Sequence, residues 1–393
     1  MTRVGVVVQR CHASAVGGSE ALAWQYARML AQRHEVEVLT STATEHVRWD
    51  DALPAGVEVR EGIAIRRFPV VIGRTPYWDA LYHRLPAAGA VGATAWTEAL
   101  QDEFIRFQGP WCPALVDWLR AQAGAYDAVV FCTYLYATTY FGLRAVPAAK
   151  AILVPTLHDE PAAHLPVFRR LYAGGADCIW LTDAERRIAE RIWGRGDGEV
   201  LGMAVEQTAP AEPEVRERPY FLYCGRIEAG KGCDDLLQAF ERMPGRERAS
   251  LVFTGADHLG LPDAPGIEYL GFVDEDRKRA LMAGAAAFVM PSRYESFSIV
   301  TLEAMAQRTP VLVNGACEVL RDHVRASGGG MCYDAPQEMP AMMASLLGAS
   351  RAERARMGAA GRAYVIDRYR EEIVRERLLR RIDAVAARAR NGS

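Results

Sequence analysis

The chain has 393 residues, half of them apolar and 24% charged, with a formal net charge of -3. At ~150 residues per domain, this length predicts two to three units that each bury a core of their own. The composition excludes a disordered or coiled-coil chain, and the balanced charge gives no electrostatic reason to bind nucleic acid.

Short β-branched runs alternate with helical patterns along the whole chain, which predicts parallel sheets covered by helices on both faces. The first strand is expected at Val4 to Gln9. This is the only apolar run near the N-terminus and is too short for the core of a signal peptide, so a cytoplasmic location is expected. A loop, RCHASAVGGSE, then brings Gly17 and Gly18 to a helix over Ser19 to Gln32, with Leu22, Tyr26, Met29 and Leu30 on one stripe and a serine able to cap the first turn. Adjacent glycines let a ligand approach the backbone, and the helix start offers N–H groups to an anion; a plain tight turn reads equally well. There is neither a dinucleotide fingerprint nor a Walker lysine here.

Further strands are expected at Glu35 to Thr40, Ala128 to Cys132, Ala151 to Pro155 and Cys178 to Leu181. The longest stretch free of charge, Ala128 to Leu143, falls short of the ~18 apolar residues of a spanning helix. Between these strands, Val71 to Trp96 is irregular and aromatic. His158-Asp159-Glu160 follows the strand at Ala151. The imidazole there can donate to a ligand hydroxyl, with Asp159 to orient it, or it can be a structural loop histidine.

Gln207 to Pro219 is polar and has three prolines, which predicts a linker between domains at 1–206 and 220–367. The second alternation has strands at Tyr220 to Cys224, Ser250 to Thr254, Ile267 to Leu270, Ala287 to Met290 and Val311 to Val313. Ligands of such sheets bind at the carboxyl ends of the strands, so two doubly wound domains imply a cleft between them. The first of these strands leads through Cys224-Gly225-Arg226 to Glu228 and Gly230-Lys231-Gly232 at a helix start. Of the 46 basic residues only Lys150, Lys231 and Lys278 are lysines, so a lysine kept here points to a need for a compact point charge. Arg226, Lys231 and the helix amides can together hold a diphosphate.

The segment Pro291 to Met305 runs from strand through loop into helix. With Glu295 before the helix and Glu303 inside it, a rise of ~1.5 Å per residue separates them by ~12 Å. That exceeds the ~5 to 9.5 Å of paired glycosidase carboxylates, so the two contact separate parts of an extended ligand. Glu303 sits in a half-buried setting between Leu302, Ala304 and Met305.

The final helical pattern, Ile366 to Arg390, carries Val374, Leu378, Ile382 and Val385 on one stripe that needs a surface to pack on. Eight arginines against four acids from Arg368 to Arg390 leave a local charge of about +4, only weakly attractive to an anionic membrane. The eight cysteines form no Cys-x-x-Cys pair and read as free, mostly buried thiols.

In combination, Glu295, Phe297 and Glu303, the Gly225-Arg226 and Lys231-Gly232 pair, Gly17-Gly18 and His158-Asp159 resemble the retaining glycosyltransferases of family 4, over nearly the whole chain. The resemblance implies the GT-B fold: α/β, two doubly wound Rossmann-like domains facing a deep interdomain cleft. The N-terminal domain would bind the acceptor, the C-terminal one the nucleotide sugar, and the last helix, about 368–390, would pack back on the first domain. It also implies transfer of a sugar from a UDP- or GDP-linked donor to an acceptor hydroxyl in polysaccharide, glycolipid or glycoconjugate synthesis. Arg226 and Lys231 would hold the diphosphate and Glu303 the ribose hydroxyls. Glu295 and the amides near Ser296, Phe297 and Ser298 would hold the sugar, and His158 and Asp159 would lie on the acceptor side. Gly17 and Gly18 would approach the phosphate. Ser298 departs from the glycine common at its position. No cofactor or metal is expected, and contact with the inner face of a membrane would be peripheral at most. A nucleotide-sugar epimerase or hydrolase of the same architecture is the alternative, followed by an inactive nucleotide-sugar-binding protein.

Overall fold

The computed structural model describes residues 2–13, 17–85, 96–206 and 209–391. They form two units, 1–203 together with 374–393, and 204–373.

The first unit is built on β1 (Arg3–Val7), β2 (Glu35–Ser41), β3 (Gly56–Arg60), β4 (Ile63–Phe68), β5 (Ala128–Cys132), β6 (Ala151–Val154), β7 (Asp177–Trp180) and β8 (Glu199–Val200). Their order is β3-β4-β2-β1-β5-β6-β7-β8, and all pairs are parallel except β3 with β4. Val4 of β1 lies opposite Val36 on one side and Ala128 on the other. The order therefore reverses at β1 and β5, and the loops beyond their carboxyl ends lie where sheets of this kind take ligands. β5 and β6 are buried throughout, as expected of strands covered on both faces.

The hairpin of β3 and β4 was not expected. β3 is an exposed edge whose Val57 and Val59 face solvent, so it carries no core pattern. Glu61 and Gly62 turn it with φ of 52° and 79°, the paired positive values of a tight two-residue turn. The helix Gly18–Ala31 starts one residue before expectation, and Ser19 does not cap it. The Ser19 hydroxyl accepts from Gln9 Nε2 at 2.7 Å and donates to Glu20 at 2.8 Å.

The second unit holds β9 (Tyr220–Cys224), β10 (Ser250–Thr254), β11 (Ile267–Tyr269), β12 (Ala287–Met290), β13 (Val311–Asn314) and β14 (Gly330–Tyr333). The sheet is parallel in the order β11-β10-β9-β12-β13-β14, with its reversal at β9 and β12. The stretch expected as a linker makes contacts with this unit over 209–219. Ala211 N–H donates to Gln307 at 2.8 Å, Glu214 N–H to the Ala280 carbonyl at 2.9 Å, and Arg216 pairs with Glu214 and Glu268. Gln207 and Thr208 lie outside the described residues, as do residues 86–95 of the aromatic stretch and residues 14–16 of the first loop.

The final pattern is broken at Arg370. One helix ends at Tyr369 and the next is Glu371–Asn391. In the latter, Val374, Leu378, Ile382 and Val385 are fully buried. Four of its arginines pair with the first unit: Arg377 donates to Glu199 at 3.0 Å, Arg381 and Arg388 to Asp177, and Arg390 to Asp127 at 3.1 Å. Among the described residues, no helix is long and apolar enough to cross a membrane. All eight cysteines are free, and all but Cys332 are buried.

Candidate functional site

In the second unit, the chemistry-bearing residues sit beyond the carboxyl ends of β9 and β12. After β9, the exposed Arg226 lies 3.4 Å from Glu228, and its carbonyl accepts from the Tyr223 hydroxyl at 2.7 Å. The chain then makes a short 3-10 turn, Ala229–Lys231, before the helix Cys233–Glu241. Gly232 joins the two with φ 74°, where an added Cβ would come within 2.8 Å of the Pro291 carbonyl. Only glycine combines that backbone with so close an approach to the end of β12. The result is that Lys231 Nζ donates to Glu295 at 2.8 Å, with both side chains largely shielded.

From β12 the segment 291–298 leads to the helix Ile299–Ala306, so Glu295 precedes the helix and Glu303 lies inside it, as expected. Asn314 Nδ2 holds the Pro291 carbonyl at 3.0 Å. Ser298 adopts φ 56° and ψ 62°, the left-handed region where glycine is favoured. Its hydroxyl lies 2.9 Å from that of Thr301. Phe297 is buried, with its ring edge-on to Tyr369 at 5.2 Å between centroids.

Glu303 brings a residue the sequence reasoning missed. Lys278 Nζ lies 3.0 Å from Glu303 and 2.8 Å from Glu275. Burial lifts the Glu303 carboxyl above its ordinary pKa, and Lys278 pulls it back down. Burial also works against the charge on Lys278, yet the two carboxylates hold its pKa above the usual lysine value. Lys278 follows the triplet Asp274-Glu275-Asp276, whose spacing could suit a metal. Here Asp274 caps the helix by accepting from Arg277 N–H at 2.8 Å, and Asp276 pairs with Arg279. Among the described residues, no group of three or more His, Cys, Asp or Glu gathers to hold an ion.

In the first unit, a Cβ on Gly17 would collide with the Glu20 carboxylate at 2.2 Å, whereas Gly18 has open space. Glu20 is held by Arg10 at 2.5 Å in a buried pair, and Arg10 also reaches the Thr44 carbonyl at 3.0 Å. A side chain at 17 would therefore have to displace this internal pair. His158 follows β6 in a loop entered through Thr156 at φ 51°. Asp159 does not orient it, because Asp159 faces His164 at 2.8 Å and Arg191 at 3.3 Å. The carboxylate near His158 is Glu160, 3.6 Å from Nδ1 and itself fixed by the Tyr134 hydroxyl at 2.7 Å.

A second missed residue, Glu185, supports that loop. Its two oxygens accept from Leu157 N–H at 2.6 Å and Leu181 N–H at 2.5 Å. It thereby ties the segments after β6 and β7 together, and burial pushes its pKa up to about 8. The spacing Thr182 to Glu185 reads in sequence as an ordinary helix cap, which conceals this bridging role.

Residues 205–364 match the family described as glycosyl transferases group 1. D-inositol 3-phosphate glycosyltransferase of Xylanimonas cellulosilytica is 27% identical over 88% of this chain and 87% of its own length. Other curated relatives match over about a third of their length. Sucrose-phosphate synthase from Thermosynechococcus elongatus superimposes with a TM-score of 0.73 at 17% identity, covering 98% of this chain and all of that one. Anabaena HepE, solved with UDP-glucose, gives 0.68 at 13% identity over 98% and 100%. The fold is therefore GT-B, α/β with two Rossmann-like domains. The match to the glycosyl transferases group 1 lies over the second unit.

Proposed function

We propose that this chain transfers a sugar from a nucleotide-diphosphate sugar, UDP- or GDP-linked, to a hydroxyl of a carbohydrate or lipid-linked acceptor with retention of anomeric configuration. What carries this reading is that each motif carboxylate is met by a lysine, Lys231 at Glu295 and Lys278 at Glu303. Arg226, Lys231 and the first amides of the helix Cys233–Glu241 hold the diphosphate and neutralise it as it departs, the largest single source of stabilisation open to such a site. Glu295 and the amides at Ser296, Phe297 and Ser298 hold hydroxyls of the sugar. Glu303 accepts from the ribose, and this requires the ionised form that Lys278 favours. Gly17, Gly18 and His158 serve the phosphate and acceptor side.

The bond from the anomeric carbon to phosphate oxygen breaks as the acceptor oxygen bonds on the same face, and the acceptor proton passes to the departing phosphate. Positive charge comes from side chains and amides, with no metal or other cofactor. The chain acts in the cytoplasm, with at most peripheral contact at the inner membrane face.

The test is thermal shift of the purified protein against a panel of nucleotide sugars, since a ligand of the folded state alone raises its stability. Product anomers are then read by NMR with and without a chelator. A retained anomer and unchanged activity under chelation are expected. An inverted product, a trapped covalent glycosyl-enzyme, or chelator-sensitive transfer would each refute the part it concerns. Rapid epimerisation of donor without acceptor would favour the alternative enzyme.

A further inference from the structure

His323 lies on the helix Glu318–Ser327 and is buried. Its Nε2 sits 2.9 Å from the carbonyl oxygen of Phe297, and its Nδ1 sits 3.0 Å from the hydroxyl of Tyr364. A carbonyl only accepts, so the proton is on Nε2, and Nδ1 then accepts from Tyr364. One neutral tautomer satisfies both contacts. Burial agrees with it, holding the imidazole pKa down at about 4. The Tyr364 hydroxyl lies 3.3 Å from that of Tyr369, and the rings of Phe297, His323, Tyr364 and Tyr369 meet edge to face. The imidazole is thus fixed on every side, while its one donor is aimed at backbone in the candidate donor segment.

That backbone group has a specific consequence. The peptide between Phe297 and Ser298 is trans and planar, so its carbonyl and its N–H point in opposite directions. Drawing the carbonyl to His323 sets the direction of the Ser298 N–H. The same peptide enters a left-handed serine at φ 56°, a conformation that non-glycine residues avoid and that the surroundings must hold in place. We propose that His323 is a positioning residue of the sugar pocket, which acts through the Phe297 carbonyl to orient the peptide whose N–H faces the transferred sugar. This rests on the function proposed above and names a residue outside the Glu295–Glu303 segment as part of its selectivity for the sugar.

A residue that orients the sugar contacts changes affinity for the sugar nucleotide and leaves the nucleoside diphosphate alone, whereas a merely structural residue changes both. The experiment is calorimetric titration with UDP and UDP-glucose and with GDP and GDP-mannose, using the pair that wild type binds, on wild type, H323L and H323Q, with melting curves for each. We expect H323L to weaken the sugar nucleotide about tenfold, as loss of one oriented hydrogen bond implies, with the diphosphate within about twofold. H323Q, which restores an N–H donor, should recover most of the loss. Equal weakening of both ligands, or no weakening, overturns the inference. Should H323L not fold, Y364F carries the test, because it frees the tautomer while leaving the ring. Selective loss of sugar-nucleotide affinity supports the proposal, and its absence overturns it. A wild type that binds nucleoside diphosphates yet gains nothing from the attached sugar also overturns it. A wild type that binds neither instead overturns the function on which it rests.

Discussion

Replacing Lys231 by alanine separates the two jobs its ammonium could have, since in the free protein it already pairs with Glu295 at 2.8 Å. The pair is partly open, with side-chain exposures of 22% and 14%, so its worth to folding is at most about 1 kcal/mol. For a unit spanning 204–373, an unfolding entropy of roughly 2.1 cal/mol/K per residue turns that into a fall in Tm of about 3 °C or less. A lost charge donor to a departing diphosphate costs about 2 to 4 kcal/mol of transition-state stabilisation, or roughly 30- to 1,000-fold in kcat/KM. The assay is release of nucleoside diphosphate with acceptor present, run on K231A, E295Q and the double variant. If Lys231 acts on the diphosphate, K231A stays damaging in the E295Q background. If it serves only to neutralise Glu295, the second substitution becomes silent. A silent second step, or kcat/KM for K231A within about threefold of wild type, would refute the assignment.

Removing the cation beside Glu303 in K278M lets burial lift that carboxyl further, so the donor KM should rise by about 5- to 30-fold, equivalent to about 1 to 2 kcal/mol. The ratio to wild type should widen as pH falls; a ratio flat from pH 6 to 9 would argue against an ionised Glu303 in donor binding. Glu185 has a folded pKa of about 8 against 4.5 unfolded, so the fold binds its proton more tightly. That contribution is complete below pH 4.5 and is lost as pH rises through 8, with a ceiling of about 5 kcal/mol. Denaturant midpoints should show E185Q less stable than wild type at pH 5, with the gap closing toward pH 8, and a widening gap would mean the carboxyl is ionised when folded. His323 has the opposite sign. Its folded pKa of about 4 lies below the free value of 6.5, so its contribution is whole above pH 6.5 and falls away toward pH 4, by about 3 kcal/mol in all. H323Q should flatten that acid limb, and an unchanged slope would place the titration elsewhere.

The strands were legible wherever burial on both faces wrote a continuous apolar run. Ala128–Cys132, Tyr220–Cys224, Ser250–Thr254 and Ala287–Met290 are found residue for residue. The edge strand Gly56–Arg60 was not, because a strand with solvent on its faces has no core pattern to write. The candidate site divides in the same way. Residues at strand ends and helix starts, Arg226, Lys231, Glu295 and Glu303, stand out because local structure places them. Their pairings do not, because the partners lie far apart along the chain: 64 positions separate Lys231 from Glu295 and 26 separate His323 from Phe297. Adjacency also misled at Asp159, whose carboxylate turns to His164 rather than to its neighbour His158.

One sequence signal reached further than the motif it was used for. Lysine rarity drew notice to Lys231, but it holds for Lys278 and Lys150 as well. Lys278 faces two carboxylates, Glu275 and Glu303, while Lys150 donates to the Ala123 and Tyr126 carbonyls at 3.0 and 2.7 Å. Each answers two acceptors from one compact point charge, where arginine would present a planar fork. Rarity therefore marks a need for that geometry and not for a ligand as such. Lys231 meets a single carboxylate, Glu295, and K231A tests whether a phosphate oxygen is the second acceptor this logic asks for.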